Sequence, residues 1–374
     1  MDLRSLLGAV AAAVCLAAGA SAQKLSPGDP APRLRVSTWI RGEQVSSFES
    51  GRVYVVEFWA TWCIPCRRSI PYLSEVQKRF ADRGVRVIGV SIWEDRPAEV
   101  APFVELQGEA MTYSVATDYV LTGAKPNQGD MVRGWMNAAG ESSIPTAFIV
   151  DGNGKIAWVG ETLALGSPLE QIVAGTWDIT AARVAHQERV LVNQLARTCD
   201  ELIKSKRWTE ALSKIDELLR LAPEREVRAA HWRFRCLLAL GHDEEAYAYA
   251  REVVDGILAD DALGLNTIAW WIVDPNAPRQ HERDLDFALR VATRAVELTD
   301  GKEGAILDTL ALVHFERGDI RRAVEIQERA YELTKSSPYA KEIGERLEKF
   351  RAALEKQPRS GQTGSGRGGL AFSR

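Results

Sequence analysis

The sequence predicts an α/β domain with a central mixed sheet flanked by helices, followed by an all-α solenoid of helix pairs. Up to Gly175, short apolar segments rich in β-branched residues alternate with amphipathic ones, as expected for strands and helices of one sheet-based domain. Beyond Gly175 the strand pattern ends, and the chain becomes dense in Ala, Leu, Glu and Arg and repeats itself. Two domains of different class are therefore expected.

The N-terminal segment carries an export signal. Arg4 precedes an apolar stretch over 6–18, and Ala20-Ser21-Ala22 has the small-residue pattern of a cleavage site. We expect residues 1–22 to be a signal peptide and the mature chain to begin at Gln23, in the periplasm or another extracytoplasmic compartment. The apolar stretch is short for a membrane span, and an uncleaved membrane tether stays open as the alternative.

The α/β domain, residues 23–178, is predicted to contain an entry hairpin, a buried strand, a helix, a second strand, a second helix and a closing hairpin. These segments are 33–39 with 43–48, 53–59, 67–80, 85–91, 98–106 and 143–156. Because strand, helix and strand alternate, the two central strands are expected to pair in parallel.

A long connection over 118–143 is predicted to be a surface excursion near the active site, with a helix around 131–138. Trp135 and Met136 either anchor this helix in the core or form an apolar lip that faces a substrate.

Two cysteines mark the candidate active site, because Cys63 and Cys66 lie where strand 53–59 gives way to the next helix. Unpaired backbone N–H groups and the helix dipole stabilise a thiolate at a helix N-terminus, so Cys63 is the expected nucleophile. Cys66, one turn further on, is expected to attack the mixed disulfide and release the partner. Pro65 fixes φ in the first turn, where its missing N–H costs little.

Other uses of this cysteine spacing fit the sequence less well. A zinc site needs a second Cys or His pair at ligand spacing, and none follows. A covalent haem site needs His directly after the second Cys, where Arg67 stands, and a peroxidatic Cys needs Thr three positions earlier, where Ala60 stands. A purely structural disulfide would normally come with more cysteines. We expect no metal and no cofactor beyond the redox-active pair.

The segment Phe58 to Cys66 resembles the active-site segment of the thioredoxin superfamily, and most closely that of its extracytoplasmic disulfide reductases of the TlpA and ResA type. The segment 143–156 resembles the cis-proline strand and following hairpin of the same superfamily. The resemblance implies a thioredoxin-like fold and a cis bond before Pro145, facing the cysteines. It also implies substrate contacts at four positions, which are Trp62, Ile64, Pro65 and Ile144.

Glu57 occupies the position at which thioredoxins keep a buried acid that helps to move the proton of the second cysteine. A carboxyl group inside an apolar strand has a raised pKa unless it is paired, which suits a proton acceptor near neutral pH. The alternative is an outward-facing Glu57.

The second domain, residues 179–357, is predicted to be a tetratricopeptide-like (TPR) repeat of about four helix pairs. Small anchor residues recur at steps of 35, 42 and 35, near the roughly 34-residue period of that repeat, with an insertion near 274–283. The anchors are Ala211, Ala246, Ala288 and Ala323. The concave face of such a stack commonly binds peptides, so a client or complex partner is expected to dock there, with dimerisation or surface presentation as the alternative.

Two further cysteines, Cys199 and Cys236, lie in neighbouring repeat units. They are expected either as buried free thiols or as a disulfide between adjacent helices. The segment 358–374 is expected to be a disordered tail.

The net charge of −4 gives no basic surplus, so no nucleic-acid partner is expected. The sequence predicts an exported thiol-disulfide oxidoreductase that reduces disulfides in protein clients. An upstream electron-donor protein is expected to reduce the oxidoreductase's own disulfide again after each reaction. The alternatives are a disulfide oxidase or isomerase, and a redox-inactive adaptor that acts through its repeats.

Overall fold

The computed structural model describes residues 25–276 and 283–357. The chain divides into two compact units between Leu191 and Val192, inside a helix, whereas the sequence predicts a boundary just before that helix. The predicted signal peptide, the predicted tail and residues 277–282 of the predicted insertion lie outside the described residues.

The first unit is built on a six-stranded sheet in the order β1-β4-β3-β2-β5-β6. The strands are β1 Val36–Arg41, β2 Val53–Trp59, β3 Val85–Ser91, β4 Ser114–Asp118, β5 Thr146–Val150 and β6 Ile156–Glu161. The helices are α1 Ile64–Phe80, α2 Val100–Gln107, α3 Gly166–Ala174 and α4 Ile179–Lys204, and a π-helix covers Val132–Asn137.

The sheet is mixed, as predicted. Strand β2 pairs in parallel with β3, and β3 with β4, whereas the β1–β4, β2–β5 and β5–β6 pairs are antiparallel. All of β2 is buried. Because side chains alternate along a strand, Val55 and Trp59 pack with α1 on one face, and Val56 and Phe58 pack in the core on the other. This is the thioredoxin-like arrangement that the sequence predicts, and it places the end of β2 and the start of α1 at the carboxyl edge of the sheet.

The predicted entry hairpin is wrong. Residues 43–48 form no strand, and β1 pairs instead with β4 across the sheet. The guanidinium of Arg41 donates to the carbonyl oxygens of Gly108 and Met111, both at 2.7 Å. These bonds tie the end of β1 to the chain that leads into β4, so a non-local partner replaces the local one.

The predicted surface excursion is also wrong over its second half. Trp135 and Met136 are fully buried, and the Trp135 ring meets the edge of Phe148 at a centroid distance of 5.3 Å. The core interpretation of these two residues is therefore confirmed, and the substrate-facing lip is wrong. The start of the buried segment is held by Asp118, whose carboxylate accepts hydrogen bonds from the backbone N–H groups of Met131 and Val132.

The second unit is all-helical. After the last part of α4, its helices are α5 Trp208–Leu221, α6 Glu226–Ala239, α7 Asp243–Asp255, α8 Ala262–Val273, α9 Leu285–Leu298, α10 Gly304–Glu316, α11 Ile320–Thr334 and α12 Ala340–Glu355. The four predicted anchors are fully buried, and each is the fourth residue of α5, α7, α9 or α11. This regularity fits a helical repeat domain.

Cys199 and Cys236 are buried free thiols. Burial raises the pKa of the Cys199 thiol to about 11 and that of the Cys236 thiol to about 12. The alternative of a disulfide between them is wrong for this structure. Within the described residues, no helix combines the length and the apolar character that crossing a bilayer requires.

Candidate functional site

The two active-site cysteines lie at the start of α1. Cys63 is the N-cap residue, with φ −79° and ψ 101°, and its Sγ accepts a hydrogen bond from the backbone N–H of Cys66 at 3.1 Å. A disulfide joins the two residues, whose Cα atoms are 5.2 Å apart. Cys66 is fully buried and Cys63 nearly so. The positive end of the helix dipole and one backbone donor therefore converge on the sulfur of Cys63.

The loop before β5 lies against this sulfur. The bond between Ile144 and Pro145 is cis, and the carbonyl oxygen of Ile144 is 3.8 Å from Cys63 Sγ. The loop reaches the cysteines because β5 is hydrogen-bonded to β2, with Thr146 opposite Phe58. The segments 58–66 and 143–156, which both resemble parts of the thioredoxin superfamily, thus lie next to each other although they are far apart in the sequence.

Exposed apolar side chains flank the buried cysteine. Trp62 is 53% exposed and Ile64 is 73% exposed, and Pro65 is exposed as well. The indole N–H of Trp62 donates to the carbonyl oxygen of Trp93 at 3.1 Å, which holds the ring in place. Large apolar side chains in solvent beside a reactive group offer contact area to a partner molecule.

Glu57 is fully buried in β2, so the alternative of an outward-facing side chain is wrong. The hydroxyl of Ser69 lies 3.2 Å from Glu57 Oε1 and 2.8 Å from the carbonyl oxygen of Cys66. Burial raises the pKa of Glu57 to about 8, and the hydrogen bond from Ser69 lowers it by a smaller amount. The acid is thereby connected through Ser69 to the turn of α1 that carries Cys66.

Sequence reasoning missed Glu94, which holds the segment before the cysteines. Its carboxylate accepts hydrogen bonds from the backbone N–H and hydroxyl of Thr61 and from the hydroxyl of Ser91, all at 2.7 Å. The position of Glu94 could have been predicted from the order of the strands. Parallel strands end at the same edge of a sheet, so a carboxylate just after β3 lies near the residues that follow β2.

The described parts of the chain, 25–276 and 283–357, contain no group of three or more His, Cys, Asp or Glu side chains that could hold a metal ion. The chemistry of the site is that of a disulfide which two electrons and two protons convert to a dithiol, with one sulfur at a helix N-terminus and the other on a turn connected through Ser69 to a buried acid.

Comparison with known proteins places this site in context. Residues 27–159 match the model of the AhpC/TSA family. Protein FixW of Rhizobium leguminosarum is 29% identical over 211 residues, covering 54% of this chain and 94% of FixW. The thiol-disulfide oxidoreductase ResA of Geobacillus thermodenitrificans is 32% identical over 106 residues, covering 28% of this chain and 52% of that protein. The chain thus spans about half the length of this ResA.

Among solved structures, a thiol:disulfide interchange protein of the thioredoxin family from Chlorobium tepidum TLS is 29% identical to this chain. The match covers 41% of this chain and 99% of the other, with a TM-score of 0.32.

The first unit is a thioredoxin-like, thiol-disulfide oxidoreductase-like domain with a Cys63–Cys66 pair, and the helices that follow it fit a repeat domain. The identification of the repeats as TPR units stays a prediction.

Proposed function

We propose that this protein is an exported reductase of disulfides in partner proteins. The observation that carries the proposal is the environment of the cysteine pair. A strongly oxidising pair depends on a stabilised dithiol form. Here Cys63 Sγ receives one backbone N–H, and Glu57, connected through Ser69 to the turn that carries Cys66, opposes a Cys66 thiolate when it is ionised. An environment that stabilises the Cys63 thiolate but opposes the Cys66 thiolate favours donation of electrons to a client.

The proposed reaction starts from the dithiol. The Cys63 thiolate attacks one sulfur of a client disulfide, forms the mixed disulfide and releases the first client thiolate, which takes a proton from solvent. Ionised Glu57 accepts the proton of Cys66, whose thiolate attacks Cys63 Sγ and releases the second client thiolate. The client gains two electrons, and Cys63 and Cys66 return to the disulfide of this structure. An upstream dithiol protein must then return two electrons.

The surface beside the pair supports a protein client. Trp62, Ile64 and Pro65 would contact the side chains of the client, and the backbone of Ile144 beside cis-Pro145 would pair with its chain. The helical unit would hold a client or complex partner on the concave face of TPR-like repeats. The apolar stretch over 6–18 with Ala20-Ser21-Ala22 supports export.

A trapping experiment tests the proposal. In the Cys66→Ser variant the second step is blocked, so we expect client proteins to accumulate as mixed disulfides on Cys63. Such adducts run as dithiothreitol-sensitive bands in non-reducing gels. The matched Cys63→Ser variant should trap far fewer clients, because it lacks the nucleophile. Equal and negligible trapping by the two variants would contradict the proposal and favour the redox-inactive adaptor.

A further inference from the structure

The loop that carries the cis-proline is held by a helix beyond the residues that match the family model. Glu141, three residues before Ile144, is buried, and its Oε1 is 2.5 Å from Arg189 Nη2 and 3.5 Å from His186 Nε2. Both partners lie on the part of α4 that belongs to the first unit. The carboxylate therefore joins this helix to the base of the active-site loop.

Arg189 also binds the edge of the sheet. Its Nη1 donates to the carbonyl oxygen of Val159, in β6, at 2.9 Å. Burial raises the pKa of Glu141, but the neighbouring His186 and the charge and hydrogen bond of Arg189 outweigh it and hold the pKa below its ordinary value. Glu141 is thus ionised at neutral pH. A buried carboxylate is tolerated when it is paired, so loss of Arg189 would force this side chain to move.

Little freedom remains between Glu141 and the cis bond. The backbone N–H of Glu141 donates to the carbonyl oxygen of Met136 at 2.8 Å. Further along, the hydroxyl of Thr146 donates to the carbonyl oxygen of Ser143 at 2.7 Å. Because the segment is fixed at both ends, the position of the Glu141 carboxylate influences where the backbone of Ile144 lies.

We infer that Arg189 and His186 are positioning residues for the cis-proline loop. Through Glu141 they hold the backbone of Ile144 beside Cys63 Sγ, where it would pair with an extended segment of a protein client. The inference rests on the proposed function for its client and on the geometry above for the positioning. The first half of α4, which lies outside the family match at 27–159, would then position a loop of the active site.

The experiment compares Arg189→Ala with Arg183→Ala in the chain from Gln23. Arg183 lies on the same helix and binds the carbonyl oxygen of Pro27 at 3.1 Å and Asp29 Oδ1 at 2.9 Å. It therefore controls for a general loosening of α4. Hydrogen–deuterium exchange in the peptide 142–147 reports loop order directly. Steady-state reduction of insulin, with dithiothreitol as the dithiol that re-reduces the Cys63–Cys66 disulfide after each turnover, reports KM and kcat. The alkylation rate of reduced Cys63 by iodoacetamide reports its intrinsic reactivity.

For Arg189→Ala we expect exchange in 142–147 to rise at least tenfold, and KM for insulin to rise about tenfold, while kcat and the alkylation rate stay within twofold. Arg183→Ala should leave all four quantities within twofold. Should Arg189→Ala fail to fold, Arg189→Lys, which keeps the charge but cannot bridge Glu141 and Val159 with one planar group, is expected to show a smaller change in the same direction.

Unchanged exchange in 142–147, or equal changes in the Arg189 and Arg183 variants, would overturn the inference. If the native chain fails to reduce insulin, the proposed function is contradicted, while the exchange measurement still decides whether Arg189 positions the loop.

Discussion

At the scale of the residue, Glu57 links stability to chemistry. The unfolded chain ionises this carboxyl group near its ordinary pKa of 4.5, whereas the folded protein does so at about 8. Between these values the folded state binds more protons than the unfolded state, so the free energy of unfolding falls as pH rises. At about 1.4 kcal/mol per pKa unit, the complete loss is on the order of 5 kcal/mol. The contribution is fully retained below pH 4.5 and lost as pH rises through 8.

The first prediction concerns this stability. Replacing Glu57 with Gln should flatten the fall in the free energy of unfolding between pH 5 and pH 9, because the amide does not titrate. Urea denaturation of the oxidised protein at several pH values measures the free energy of unfolding. The difference between the two proteins isolates Glu57 from other acids, such as Asp118, whose pKa burial raises to about 6. Parallel pH curves for the two proteins would show that Glu57 is not the titrating group.

The second prediction concerns the rate of client release. If ionised Glu57 takes the proton of Cys66, the rate of the second step should rise with pH and level off above 8. Glu57→Gln should slow this step on the order of 100-fold, the lower end of the effect of a general base. Ser69→Ala removes a hydrogen bond that lowers the pKa of Glu57, so it should move the rise to higher pH.

Rapid-quench kinetics of the mixed disulfide follow this step. The matched control is Ser74→Ala, on the same helix, whose hydroxyl instead donates to the carbonyl oxygen of Ala110. A pH profile unaffected by either Glu57→Gln or Ser69→Ala would remove the acid from the mechanism.

At the scale of the element, the approach to α1 is shaped by the turn after β3. Trp93 has φ 57°, an unusual value for a residue with a side chain. Its carbonyl oxygen accepts a hydrogen bond from the indole N–H of Trp62. The carboxylate of the next residue, Glu94, accepts one from the backbone N–H of Thr61. Two neighbouring residues of one turn therefore fix the segment that leads into Cys63.

The third prediction follows from these bonds. Glu94→Ala removes three hydrogen bonds to a mostly buried carboxylate and should lower the free energy of unfolding by about 2–4 kcal/mol. It should also increase the mobility of Trp62, measured by the line width and solvent exchange of its indole N–H signal in NMR spectra, which the Trp62→Phe variant assigns among the eleven tryptophans. Glu99→Ala is the control, since Glu99 makes a surface ion pair with Arg96 and should change stability by less than ~1 kcal/mol. Equal effects of the two substitutions would refute the assigned role of Glu94.

Local signals predict the elements of this chain well where they are strong. Strands β2 and β3 occupy the predicted ranges 53–59 and 85–91, because runs of buried β-branched residues have a clear pattern. The partner of β1 could not be predicted, because it depends on chain more than 70 residues away. The π-helix at Val132–Asn137 was expected as a helix, but its depth in the core was not evident from composition alone.

At the scale of the whole molecule, sequence reasoning identified both classes of domain, and it placed the cysteines, Glu57 and the cis-proline segment in one site. It missed Glu94, Ser69 and Arg189, because each acts through a contact that only the folded sheet and its helices create. Long-range polar contacts of this kind leave no periodic trace in a sequence. The buried alanines of the second unit, in contrast, recur at regular intervals in the sequence, and this spacing predicted the helix pairs.

The central claim is that the Cys63–Cys66 pair donates electrons to client proteins. A redox titration of the purified chain from Gln23 in graded thiol buffers, with alkylation of free Cys63 and Cys66 as the readout, tests it most directly. Cys199 and Cys236 serve as internal markers of buried thiols. We predict a potential near that of thioredoxin, about −270 mV. A potential near about −120 mV would make the pair a disulfide donor and contradict the claim, as would a pair that does not cycle at all.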